Sequence, residues 1–276
     1  MTMVLSPRSG GTTMWRRVTS LALASWLTTV AGQDAQGQLS GTARWADSLA
    51  RSIERAYHAG DERGLKEAAA LADRVLAIAP DDPVILHYKG YALYRVGTAL
   101  LGRRANDEAA ATLKAADEAL EASGETLAWP ETWALRSAVQ GQIIAASGGG
   151  ALVSMRYGIT SGAMMDKALA LGRNNPRVWV LKGSGEFYKP EMFGGGLDAA
   201  QASLERALAL LPADRPSAPR PSWGALDLHL WLGQVAAKRG RVEEARTHYQ
   251  RVLAIAPDFP WVARVLLPAL DRSRTP

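Results

Sequence analysis

The chain has 276 residues, of which 47% are hydrophobic and 21% charged, with a formal net charge of +5, four His and no Cys. That length allows one large domain or two small ones with a continuous buried core. The missing cysteines exclude disulfides, thiolate metal sites, iron–sulfur clusters and cysteine nucleophiles. Arg8, Arg16 and Arg17 all precede the first acidic residue, Asp34, so the remainder is nearly neutral. It therefore lacks the basic face expected of a nucleic-acid binder, and no nucleic-acid partner is predicted.

Met14-Trp15-Arg16-Arg17 is followed by an uncharged, mostly apolar run over 18–30 and then Ala31-Gly32-Gln33. A basic start, a short apolar run and a small-residue exit read as a secretory signal peptide over 1–32, cleaved near Ala31 or Gly32. The run is shorter than the roughly 20 residues of a membrane-spanning helix. The expectation is an exported protein, periplasmic or secreted, that does not span the membrane after cleavage. An uncleaved N-terminal anchor is the alternative.

From 39 to 272, apolar residues recur every three or four positions and Pro or Gly punctuates the pattern, which predicts helix after helix and no strand. Residues 44–80 give a poor first helix and a good second one with Ala68 and Pro80. Residues 83–122 carry Gly90 and a lengthened link through Gly102. Residues 130–171 pair a helix ending near Ser147 with another from Ala151, with Gly148-Gly149-Gly150 as the turn. Residues 176–212 follow, with Trp179, Gly183, Ala200, Leu204, Ala207 and Pro212 at regular positions. The segment 212–221 holds four of the 14 prolines and reads as a semi-rigid link. The octapeptide Arg-Val-Leu-Ala-Ile-Ala-Pro-Asp occurs at 74–81 and again at 251–258, an internal repeat at a helix end. A capping helix is predicted over 261–270 and a disordered tail at 273–276.

In 226–259 the pair Leu232-Gly233, then Ala245, Tyr249 and Pro257, stand at the large, small, small, aromatic and terminal positions of a 34-residue helical hairpin. This segment resembles a tetratricopeptide repeat (TPR), with Val252 and Ala236 departing from the usual residues. Gly233 and Ala245 are expected to let the two helices approach closely, and Tyr249 to fill the gap to the neighbouring hairpin. The resemblance implies an all-α, right-handed α-solenoid of four to five degenerate hairpins over 39–272, the best being 176–212 and 226–259. The stretch Tyr188 to Gly196 resembles a Pro and Phe-Gly-Gly insertion of exported bacterial TPR proteins. Phe193 is expected to tuck back onto the stack; the alternative is a hydrophobic tip formed by Pro190, Met192 and Phe193 that meets a partner.

No zinc-protease, nucleophile-elbow, phosphate-loop or calcium-loop motif is present, so neither catalysis nor a metal or cofactor is expected. The resemblance implies a concave face lined by first helices. Registering on Gly90 places His87, Tyr91, Tyr94 and Arg95 there; Gly183 places Arg177, Ser184 and Tyr188; Gly233 places Asp227, Gln234 and Lys238. Such a mixture suits a groove for an extended protein or peptide partner. The predicted function is a non-catalytic exported scaffold for protein–protein interaction. The alternative is a small-molecule binding component associated with a solute transporter.

Overall fold

Three helices begin with the same local chemistry. Pro83, Pro130 and Pro176 occupy the first helical turn, where a proline's missing N–H leaves no bond unmade. Ahead of them Asp82 accepts the backbone N–H groups of Val84 and Ile85 at 3.0 Å each, and Asn175 accepts that of Arg177 at 3.0 Å. The computed structural model describes residues 42–272, which form an all-α solenoid of helical repeats. The signal-peptide reading over 1–32 and the tail at 273–276 lie outside the described residues.

The helices are α1 (42–59), α2 (Glu62–Leu76), α3 (Pro83–Gly102), α4 (Asn106–Thr126), α5 (Pro130–Ala146), α6 (Ala151–Gly172), α7 (Pro176–Tyr188), α8 (Leu197–Leu210), α9 (Ala225–Lys238), α10 (Val242–Ile255) and α11 (Leu267–Arg272). They follow one another as five consecutive hairpins. The first helices α3, α5, α7 and α9 also pack each on the next, and a π-helical turn at Val262–Leu266 leads into α11 as the cap.

One packing device recurs. A side-chain carbon added at Gly90 would lie 2.5 Å from Leu120, at Gly183 2.7 Å from Leu204, and at Gly233 2.4 Å from Tyr249. Each small residue of a first helix thus receives a large side chain from the second helix of its own hairpin. Tyr249 thus packs inside its own hairpin, and it shares a buried cluster with Phe259, Val262 and Leu270, which follow that hairpin. In the third hairpin Ser137 takes the place of glycine, and its hydroxyl meets that of Ser161 at 3.0 Å.

The curl of the stack brings the first and last hairpins together. The Tyr57 hydroxyl of α1 donates to Asp227 of α9 at 2.8 Å, and its ring meets Phe259 edge-on with centroids 5.5 Å apart. Gly60, at φ +64°, turns the chain from α1 to α2 against Pro260, whose ring leaves no room for a Cβ. Both the ends and the first-helix faces of the solenoid are consequently involved in intrachain contact.

Candidate functional site: the concave face and its rim

The inner face is built from equivalent positions. Six residues ahead of Ser137, Gly183 and Gly233 stand Glu131, Arg177 and Asp227, charged residues just inside the starts of α5, α7 and α9. All three are buried, at 1%, 3% and 6% exposure. A buried charge is tolerated only when paired and hydrogen-bonded, and each of these is.

Arg95 of α3, also buried, places two guanidinium nitrogens on the two carboxylate oxygens of Asp227 at 2.8 and 2.7 Å. Its carbon lies 3.7 Å above the Tyr57 ring, and it donates twice to the Tyr91 hydroxyl, at 3.2 and 2.9 Å. Tyr91 passes the chain on by donating to Glu54 of α1 at 2.5 Å. Burial works against ionisation of both charged partners, but their pairing overrides it: Asp227 is held below the ordinary carboxylate range and Arg95 above its own. Burial drives the phenols of Tyr57 and Tyr91 well above the usual value, so both stay protonated as donors.

Arg177 makes a second cluster. Its Nε reaches Glu131 at 3.1 Å, and its two terminal nitrogens reach both oxygens of Asp214 at 2.8 Å. His87, with no exposure, shares a 2.8 Å contact from Nδ1 with Thr132 and packs edge-on against Tyr88 and Trp129. Burial pushes its pKa down to about 3, which keeps it neutral.

The residues predicted to line an open groove therefore divide. His87, Tyr91, Tyr94, Arg95, Arg177, Ser184 and Asp227 are buried, each between 0% and 8% exposed. Ser184 donates to its own helix, at the Leu181 carbonyl. Arg95, Arg177, Asp227 and Tyr91 are engaged in intrachain pairs, whereas His87 Nε2 is buried with no hydrogen-bond partner. Gln234 is half-buried, and Tyr188 and Lys238 are exposed.

The proline-rich segment 214–223 folds into this interior. Asp214 is tied to Arg177; the Pro219 carbonyl accepts the Tyr88 hydroxyl at 2.7 Å; Arg220 lies 5.9 Å from the Trp129 ring; Trp223 stacks on Tyr91, centroids 5.1 Å apart and 15° from parallel. A cavity of about 320 Å³ separates the segment from Arg51, Glu54 and His58 of α1.

The rim is different. Pro190, Met192 and Phe193 are exposed, Met192 and Phe193 by 83% and 62%. Phe193 does not tuck back onto the stack: the short helical turn Glu191–Phe193 closes on Gly194 in the left-handed region and leaves its apolar side chains outward. Next to it Tyr188, 71% exposed, meets Phe187 and Trp231 with ring centroids 5.1 and 5.7 Å apart. Trp231, Gln234 and Lys238 share one face of α9 by their spacing.

Glu54, Tyr57, Tyr88, Glu131 and Asp214 complete these clusters without being predicted from the sequence. Glu131 is reachable by registering the third hairpin on Ser137. The α1 residues and Asp214 carry no such signal, because their roles arise from closure and from the fold of a link. Elsewhere, His229 and His248 face each other through Nδ1 at 3.2 Å. Burial, the neighbouring His248 and Arg251 lower the His229 pKa to about 4, and burial also lowers that of His248. Among the described residues no three His, Asp or Glu side chains are grouped to hold a metal, and no helix is long and apolar enough to cross a membrane.

The tetratricopeptide repeat family model matches residues 226–259. Among curated protein sequences, none matches the chain. The fold is similar to the HusA haemophore from Porphyromonas gingivalis, with a TM-score of 0.58, 22% identity, and coverage of 70% of this chain and 94% of that one. It is also similar to a thermophilic TPR protein of Thermus thermophilus, with a TM-score of 0.55, 18% identity, and coverage of 82% and 99%. The last hairpin thus carries a matched tetratricopeptide repeat, and the four hairpins before it follow a similar helical plan.

Proposed function

We propose that this chain is an exported, non-catalytic protein-interaction scaffold whose partner docks on the aromatic rim around Tyr188, Met192, Phe193 and Trp231. TPR folds characteristically serve as interaction scaffolds, and the interior charges Arg95, Asp227, Arg177 and Glu131 are engaged in intrachain ion pairs. The observation that carries the reading is the exposure of Tyr188, Met192 and Phe193 at one edge of the stack. Exposed contiguous apolar and aromatic surface on a folded chain marks a contact site, and aromatic residues dominate binding energy when a partner covers them. Gln234 and Lys238 flank the rim with polar groups, which suits a partner presenting apolar side chains beside an acid. Export rests on the signal-like residues 1–32.

The test is expression of the full chain with its own N-terminus, N-terminal sequencing of the product from each compartment, and crosslinking in envelope extracts. A product starting near residue 32 outside the cytoplasm supports export. One crosslinked protein that disappears with Met192→Ser/Phe193→Ser, while the fold persists, supports the rim. A crosslink unaffected by those changes removes the rim from the reading. A small-molecule role is favoured by a different observation, the 320 Å³ cavity beside α1; a thermal-shift screen of small solutes tests it, with Tyr88→Phe and Arg51→Ala as controls.

A further inference from the structure

We infer that the proline-rich segment 214–223 is a built-in occupant of the concave groove, and that the groove's other ligand is a partner's irregular segment of the same chemistry: a carboxylate, spaced prolines and an aromatic ring. First helices of a hairpin stack offer a row of side chains to a non-helical peptide, and peptides of this kind are held by carbonyl contacts and by rings that receive prolines. Here the chain supplies that peptide itself. Its contacts span three successive first helices: Arg177 of α7 holds the Asp214 carboxylate, Trp129 at the head of α5 lies beside Arg220, and Tyr88 and Tyr91 of α3 take the Pro219 carbonyl and the Trp223 ring. The Asp214 carboxylate and the buried Trp223 indole act as two anchors at opposite ends of one segment.

The segment borders the 320 Å³ cavity, which Tyr88, Tyr91 and α1 also line, and its Ser217, Ala218, Arg220 and Ser222 are exposed. Between Asp214 and Pro221 its backbone forms no helix, and one turn, with Arg220 N–H donating to the Ser217 carbonyl at 2.9 Å, is its internal backbone hydrogen bond. A stretch with few backbone bonds and one solvated face opens at lower cost than the helices beneath it. Because the segment is tethered at both ends, its effective concentration is on the order of millimolar, so an outside ligand meets a groove that is closed most of the time. The apparent affinity for such a ligand is reduced by the fraction of chains that are open, and any change that loosens the segment restores it. The inference concerns the interior and is independent of the aromatic rim.

The probe is a fluorescein-labelled synthetic peptide of residues 213–224, with a scrambled version as control, titrated by anisotropy into the full chain. The wild type is compared with Asp214→Ala, which leaves Arg177 its bond to Glu131, and with Asp214→Asn, which keeps an acceptor facing Arg177 and serves as the second variant if Asp214→Ala loses its helical circular dichroism. We expect the peptide to bind Asp214→Ala at least tenfold more tightly than wild type, the scrambled peptide to bind neither, and Phe193→Ser to leave both affinities unchanged. Equal binding to wild type and Asp214→Ala, or no binding to either, overturns the inference.

Discussion

Asp227 is the residue on which closure of the stack turns, and its removal has a calculable consequence. In Asp227→Ala the Arg95 guanidinium keeps its charge at 4% exposure but loses both carboxylate bonds, and the Tyr57 hydroxyl loses its acceptor. Removing one partner of a buried, hydrogen-bonded ion pair costs about 3–5 kcal/mol, because the other charge stays buried without compensation. The orphaned phenol adds about 1 kcal/mol. Against a total stability of roughly 5–15 kcal/mol this is a large fraction. Urea unfolding at pH 7, followed by circular dichroism and tryptophan fluorescence, is expected to show the transition shifted to much lower denaturant. The decisive comparison is Arg95→Met/Asp227→Leu, which removes both charges and fills the space; it should cost less than Asp227→Ala alone. A single variant within about 1 kcal/mol of wild type, or a double variant worse than the single, would refute the argument that this pair is buried and mutually dependent.

Four further outcomes follow from the same geometry. Gly233→Ala places a methyl 2.4 Å from the Tyr249 ring and should destabilise by about 1–3 kcal/mol, whereas Gly141→Ala, mid-helix with open space around it, should stabilise by about 0.5–1 kcal/mol; thermal melts of the two separate packing from helix propensity. His87 is neutral when folded, with a pKa near 3 against 6.5 unfolded, so the unfolded chain binds the extra proton between those values. Stability is then complete above pH 6.5 and declines as pH falls toward 3, by up to about 1.4 kcal/mol per pH unit, and His87→Gln should flatten that slope in urea titrations at about pH 7, 6, 5 and 4. Asp227, whose folded pKa is lowered, adds a loss only below its unfolded value of 3.8, so Asp227→Asn should change the profile below about pH 4 and leave the slope above it as it is. Met192→Ser/Phe193→Ser removes apolar groups that are mostly exposed and should leave the melting temperature within about 1 °C of wild type; a larger drop would mean that the rim is packed.

Much of the architecture is written in short-range chemistry. Asp82-Pro83 and Asn175-Pro176 start helices because a side-chain oxygen and a fixed φ satisfy the first turn locally, and the 3.6-residue recurrence of apolar positions needs no information from elsewhere in the chain. Gly90, Gly183 and Gly233 mark the close approach within each hairpin, since the large partner lies only 16 to 30 residues away in sequence. The same register gathers Arg177 and Asp227 on one inner face and Arg95 with Tyr91. It gives no means of knowing that this face is buried. Exposure of a first-helix residue depends on how far the stack curls, and that is decided by contacts such as Tyr57 with Asp227, 170 residues apart, and by a proline-rich link that folds inward where its composition reads as a spacer. For the same reason Phe193, expected to pack, lies exposed: a helical turn ending in left-handed Gly194 aims it outward, and only the finished backbone fixes that direction. Local sequence determined the hairpins and their order; long-range closure, which sums small packing rotations over five hairpins, decided which of their faces meets solvent.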